Sequence, residues 1–518
     1  MNALRNALAA AGVAVGAGLV VTPVASAAPT APPTDGPVDG LGRFYRQHFD
    51  WKACTLGPDD QVGKELDEAG ARCADVTVPL DYARPDGRTI KIAISRLRAG
   101  DPRHRIGTMI INGGGPGPAI DMPPYMRGLM QAAGPRFDLV GMDVRSTGRS
   151  APVDCGWPSS TWTRAAGLGR RSFDRGVEFA RELAARCARR QPDLAPHVST
   201  RNIARDMDVV RGALGERKIS YNGASYGTYL GAVYAMMFPG RLDRTLLDSA
   251  VDPDRWGPRL IHGTEGANEA ALGDWAEWAA RRDATYQLGA TKNDVLATVQ
   301  GIIRAAAHRA LPVKGFSGVD DTVVPVTLFD LLQNDHDETR AELADAVVVL
   351  KKAAGGTPVE ASGALADDLR FQLTGDESRH GSAQAAIVCG DVTAPRDPEI
   401  YWRDVRRGLA QYPVFGGVGA NINPCAFWSW EPREQPTHVS GNVPALLVGA
   451  TGDTRTIYSN TVSMHRALKG SRLVTLRGAN VHAPYQASYG NTCVNDQVNQ
   501  YLLTGRLPDR DIVCQATK

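Results

Sequence analysis

The sequence predicts an α/β fold: a mostly parallel sheet with helices on both faces, interrupted by an inserted helical segment. Three observations predict it. Short apolar runs alternate with helix-patterned stretches on both sides of the insertion. A Gly-x-Ser-x-Gly turn, Gly223-Ala224-Ser225-Tyr226-Gly227, joins one such run to a helix. From about residue 255 to 440 the pattern turns helical and Ala-rich, with Trp275, Trp278, Trp402 and Trp428.

The elements follow in order. Residues 74–80 and 89–97 alternate apolar and polar, and Asp86-Gly87 supplies a turn, so they read as an opening antiparallel pair. Residues 107–111 and 137–142 are short apolar runs bounded by Gly and Asp, the pattern of buried parallel strands. Ile203, Met207, Val210 and Leu214 fall on one face of a helix over 202–214. A strand over 218–222 leads directly into a helix over 226–237. Further strands are expected at 242–249, 445–450 and 472–476, the last closing the sheet.

With 518 residues the chain can form one large core and a sizeable insertion. A formal net charge of +2 gives no global field for nucleic acid or acidic lipid. The N-terminus reads as an export signal: Arg5, an apolar stretch from about 7 to 21, then Ala25-Ser26-Ala27 at the cleavage positions. The stretch is short and Gly/Ala-rich, unlike a membrane anchor. No cysteine near the cleavage site supports a lipid anchor. The expected division is a signal peptide over 1–27, a flexible leader or pro-segment over 28–40, the sheet domain over 41–254 and 441–518, and a helical cap over 255–440. The protein is then secreted to the extracellular space, with no stable membrane association after signal removal, and is expected to be a monomer.

Eight cysteines, all in the exported part, suggest disulfides. Many connectivities are possible; short separations suggest Cys54–Cys73, Cys155–Cys187, Cys389–Cys425 and Cys493–Cys514. No Cys-x-x-Cys or Cys/His cluster points to a metal, and no cofactor is expected.

The chemistry begins at Ser225. A sharp strand-to-helix turn needs small flanking residues and lifts the hydroxyl above the sheet at a helix N-terminus. The alternative is an inert serine in a tight turn. Asn112-Gly113-Gly114-Gly115-Pro116-Gly117 follows the 107–111 strand, and its backbone N–H groups can face a developing oxyanion together with that of Tyr226. Two readings compete: a phosphate loop, against which the missing Gly-Lys-Ser/Thr speaks, and a dinucleotide turn, against which Pro116 and the remaining spacing speak. A serine needs a base, and in this architecture the acid and then the histidine follow it along the chain. Of seven later histidines, His482 alone sits in the loop just after the expected final strand. Asp453 follows the 445–450 strand and can fix the imidazole tautomer.

These residues, with Val78-Pro79-Leu80-Asp81-Tyr82, Asp143-x-Arg145, Ala204-Arg205-Asp206-Met207-Asp208, Leu247-Asp248-Ser249 and Tyr501-Leu502-Leu503-Thr504-Gly505, make the sequence similar to a known family. It resembles the secreted tripeptidyl aminopeptidases of actinomycetes, in the proline-iminopeptidase-like branch of the α/β-hydrolases. The resemblance implies an α/β-hydrolase fold with a helical cap, a catalytic Ser225/Asp453/His482 set, and an oxyanion hole from Gly115 and Tyr226. It supports disulfides of the kind proposed. The sequence departs from the family pattern at Gly113, Pro118, Ser146, the proline-free run Thr454-Arg455-Thr456-Ile457-Tyr458 and Ala483, all near the expected pocket.

The expected function is an exported serine exopeptidase that releases short peptides, such as tripeptides, from free N-termini. A cationic amine in a closed pocket needs a counter-charge. Asp391, Glu269 and Glu277 are the candidate carboxylates. Two other readings use the same scaffold: a hydrolase of a small-molecule ester, amide or lactone, and a non-catalytic binding protein.

Overall fold

The computed structural model describes residues 40–516. The expected signal peptide and all of the leader except Gly40 lie outside the described residues.

Nine strands form one sheet: β1 (Arg72–Pro79), β2 (Thr89–Leu97), β3 (Gly107–Asn112), β4 (Phe137–Met142), β5 (Ile219–Ala224), β6 (Leu242–Asp248), β7 (Leu446–Ala450), β8 (Arg472–Arg477) and β9 (Ile512–Gln515). Their order is β1-β2-β4-β3-β5-β6-β7-β8-β9. β2 pairs antiparallel with β1 and with β4, and every other pairing is parallel. The expected closing strand is therefore not the last. β9 pairs with β8 at the sheet edge, is only 4 residues long and leaves Val513 half exposed, so its apolar stretch Ile512-Val513-Cys514 is too short to stand out as a strand.

The parallel strands are buried on both faces. Alternate residues feed opposite cores: Ile110 and Leu247 one, Met109, Ile111 and Leu246 the other. Helices α1 (Arg170–Arg190), α2 (Thr200–Ala213) and α3 (Tyr226–Met237) supply side chains to the first core. The chain leaves β3 towards β4 on one side, while β5 lies on the other. The carboxyl ends of β3 and β5 thus form a topological switch point, where an open α/β sheet leaves a crevice.

Between β6 and β7 the chain forms α4 (Glu265–Ala280), α5 (Lys292–His308), α6 (Val324–Leu331), α7 (Asp337–Ala354), α8 (Gly363–Leu373), α9 (Ser378–Asp391) and α10 (Pro398–Gln411). Leu272, Trp275, Val299, Ile302, Val347 and Leu369 build a separate core here. One helix of the segment behaves differently. Ala385, Ala386, Ile387 and Val388 of α9 join the core of the sheet, because this stretch is apolar on adjacent faces.

All eight cysteines pair as the separations suggest: Cys54–Cys73, Cys155–Cys187, Cys389–Cys425 and Cys493–Cys514. Several quoted motifs meet in one buried network. Arg145 donates to both oxygens of Asp206 at 2.6 Å, and Tyr82 donates to the same carboxylate at 2.7 Å. The remaining Arg145 donors reach the carbonyls of Leu80, His197 and Pro79. Asp143, two residues earlier in the chain than Arg145, accepts the N–H groups of Ala119 and Ile120, which braces the segment after the glycine-rich turn.

Candidate active site

Ser225 lies between the end of β5 and the start of α3, with φ 52° and ψ −124°. Such a conformation is strained for a non-glycine residue and persists only where the surroundings impose it. Here they do. The Ser225 N–H donates to Asp248 O at 3.0 Å. A side chain at Gly223 would lie 2.6 Å from Gly227 O, and one at Gly227 would lie 2.8 Å from Asn112 O. The motif's glycines are therefore set by the approach of β3, β5 and α3.

The glycine-rich turn lies against this serine. A Cβ on Gly114 would stand 2.8 Å from Ser225 Cβ. Gly114 donates its N–H to Asn112 Oδ1 at 2.9 Å, so that group is committed. Gly115 follows with φ 99°. Tyr226 opens α3, and the first N–H groups of a helix have no partner within it.

Asp453 lies in the loop after β7 and is 1% exposed. Its oxygens lie 2.9 and 3.1 Å from His482 Nδ1. Backbone N–H groups of Arg455 and Thr456 donate to Oδ1 at 2.8 and 3.0 Å. Burial pushes the Asp453 carboxyl up, but the charge and hydrogen bond of His482 outweigh it and hold it below its ordinary value. The imidazole remains 23% exposed.

Residues that the motif reading did not single out complete the setting. Thr456 Oγ1 donates to Ser249 O at 2.9 Å and sits 3.3 Å from His482 Nδ1. Ser249 Oγ accepts the N–H of Ala483 at 2.8 Å. Asp248 Oδ2 accepts the N–H groups of Tyr485 and Gln486 at 3.0 and 2.8 Å. Burial raises the Asp248 carboxyl to about 7. Its Oδ1 has no partner among the described residues. The quoted Leu247-Asp248-Ser249 run was the one sequence signal for this pair.

The three carboxylates proposed for a substrate amine are not brought together. Glu277 is exposed and pairs with Arg281 at 3.0 Å, one helical turn away. Glu269 Oε1 accepts the N–H groups of Val414 and Phe415 at 2.7 and 3.1 Å. Asp391 is buried, where it accepts the Thr200 N–H at 2.7 Å and the Trp256 indole N–H at 2.8 Å. All three are engaged within the protein: Glu277 is satisfied on the solvent face, and the other two brace loops.

The serine turn, the glycine-rich turn, the acid and the histidine thus all follow carboxyl ends of parallel strands. A hydroxyl at a helix N-terminus and an imidazole held by a buried carboxylate are groups that acyl transfer uses.

Comparisons with known proteins agree with this architecture. A family model described as "alpha/beta hydrolase fold" matches residues 107–294, and one described as "TAP-like protein" matches 412–514. The chain is 34% identical over 489 residues to a tripeptidyl aminopeptidase of Streptomyces lividans, covering 91% of this chain and 87% of that one. It is 31% identical to Serine protease Hip1 of Mycobacterium tuberculosis, covering 90% and 91% of the two chains. It is 29% identical to Carboxylesterase B of the same organism, covering 90% and 89%. At this identity and coverage, the chain is an enzyme that belongs to the tripeptidyl aminopeptidase family of α/β-hydrolases.

Proposed function

We propose that the protein is a secreted serine exopeptidase that releases short peptides, such as tripeptides, from free N-termini. The observation that carries the reading is the pairing of Asp453 with His482 beside the strained Ser225 turn. Ser225 Oγ attacks the scissile carbonyl while His482 Nε2 takes its proton. Asp453 stays ionised and fixes the imidazole through Nδ1. The N–H groups of Gly115 and Tyr226 stabilise the oxyanion. His482 then returns the proton to the leaving amine, and water hydrolyses the acyl-enzyme by the same route in reverse order. The helices between β6 and β7 act as a cap that restricts entry, which suits a chain end over a chain interior. Four disulfides support an oxidising, extracellular location.

The test is a peptide library digested by purified enzyme, with products read by mass spectrometry. Tripeptides released stepwise from free N-termini support the proposal; internal cleavage, or no cleavage, refutes it. A second reading is favoured by the relative named Carboxylesterase B. There the same serine acts on a small-molecule ester, and aryl esters would exceed peptide amides in kcat/KM by more than their intrinsic reactivity.

A further inference from the structure

Residues 329–336, at the end of α6 and in the link to α7, touch both loops that carry the proposed acid and base. On the acid side, Leu332 O accepts the Thr454 hydroxyl at 3.3 Å, and Phe329 O accepts from the Arg455 guanidinium. That guanidinium also lies over the Phe329 ring, 3.7 Å from its centroid. On the base side, Asn334 and Val481 form an antiparallel bridge. Asp335 Oδ2 accepts the Asn480 N–H at 3.0 Å, and Asp335 Oδ1 accepts the Tyr489 hydroxyl at 2.8 Å. The His336 ring meets the Tyr489 ring edge-on, with centroids 4.7 Å apart.

One carboxylate of the inserted segment therefore ties both ends of the stretch 480–489, in which His482 lies. The middle of that stretch is held from the sheet side by Ser249 and Asp248. A carboxylate accepting an N–H and a hydroxyl makes stronger bonds than a neutral acceptor. Because Asp335 belongs to the insertion, these two ties exist only while the insertion is seated.

We propose that Asp335 is a positioning residue for His482, which makes seating of the inserted segment a condition for holding the base against Asp453. The inference rests on the reading of His482 as base. Asp335 acts through the loop and touches no reacting atom. Substrate then enters by an edge of the cap other than 329–336, since displacing that strap loosens the imidazole. A misplacement of about 1 Å at a reacting group costs on the order of 100-fold in rate.

The experiment compares Asp335→Ala, Asp335→Asn, Tyr489→Phe and Ser225→Ala as purified full-length proteins. The readouts are kcat and KM on a chromogenic peptide, the rate of labelling by a fluorophosphonate, and folding by circular dichroism. Asp335→Ala is expected to lose about 10- to 100-fold in kcat, with KM within about threefold and labelling slowed in parallel. Asp335→Asn keeps an acceptor oxygen for the Asn480 N–H and recovers most of the loss. A strut with a purely structural role would lower thermal stability and leave kcat of the folded protein unchanged. Wild-type kcat in folded Asp335→Ala, or a loss in Asp335→Asn as deep as in Asp335→Ala, overturns the inference. If Asp335→Ala does not fold, Tyr489→Phe decides: a drop in kcat of about threefold or more at unchanged KM supports it, and unchanged kcat overturns it. Activity retained in Ser225→Ala would instead refute the triad itself.

Discussion

Asp391 accepts the indole N–H of Trp256 at 2.8 Å, in a site closed to solvent. The Thr200 N–H and hydroxyl donate to the same carboxylate, and burial raises it to about 6. Three donors converge on two oxygens. An amide at this position turns one donor group towards another and leaves at least one buried N–H or O–H unpaired. Asp391→Asn is therefore expected to lower stability by about 1–3 kcal/mol. It should leave unchanged the ratio of kcat/KM between a free-amine peptide and its acetylated partner. Thermal unfolding and the matched peptide pair measure both. A collapse of the ratio towards one would return Asp391 to the amine-binding role.

The proposed triad gives the second prediction. Ser225→Ala should fold normally and lose several orders of magnitude in hydrolysis, because members of such a set act as a unit. Asp453→Asn should cost about 10³–10⁴ in kcat, since an amide presents the wrong partner to Nδ1 and favours the wrong tautomer. Steady-state kinetics at neutral pH check both. Near-normal turnover in either folded variant would refute the corresponding assignment.

The buried Arg145–Asp206 pair gives the third. Both side chains are fully buried, and Arg145 also serves the carbonyls of Leu80 and His197. Arg145→Met leaves Asp206 without its counter-charge and orphans those carbonyls. Breaking one partner of a buried pair costs about 3–5 kcal/mol. The double variant Arg145→Met/Asp206→Leu should recover part of the loss, as urea unfolding can measure. A single variant within about 0.5 kcal/mol of wild type would mean that the pair does not support the fold.

These cases also show what was legible in the sequence. The placement of Ser225, Asp453 and His482 after strand ends was legible because each follows an apolar run that reads as a strand, and a loop position after a strand survives small errors in its boundaries. The cysteine pairs were legible because their partners are near in sequence. The partners of buried carboxylates were not legible. Asp391 follows Cys389 closely in sequence, yet its donors come from Thr200 and Trp256, which only the packing of α9 on the sheet's core brings near. Asp335 meets Asn480 and Tyr489 across more than a hundred residues, and no periodicity encodes that contact. β9 was missed because four edge residues carry no buried alternation.

The crosslink Cys389–Cys425 gives the fourth prediction. It closes a span of 36 residues and ties the end of α9 to the segment leading back to the sheet. The chain-entropy relation gives about 4 kcal/mol for a loop of that size. Replacing both cysteines by Ala should lower stability by a substantial part of that figure, seen as a lower urea midpoint. An unchanged midpoint would mean that packing alone fixes α9.

The last prediction concerns pH and Asp248. Burial raises its carboxyl to about 7 in the folded protein, whereas an unfolded aspartate titrates near 4, by roughly the value of a free side chain. Between these values the native state holds a proton that the unfolded state has released. The unfolded state then binds fewer protons, so unfolding free energy falls as pH rises through this window and levels off above about 7. The orphaned Oδ1 is the structural counterpart: ionised, it is a buried charge with no donor among the described residues. Asp248→Asn removes the titration and keeps one acceptor for the N–H groups of Tyr485 and Gln486. Other titrating groups are common to both proteins. The stability advantage of wild type over the variant should therefore be largest near pH 4 to 5 and shrink by a few kcal/mol towards pH 8. Urea unfolding of both proteins across this range measures the difference. A gap that is constant with pH, or one that widens as pH rises, would show that Asp248 enters the folded state already ionised.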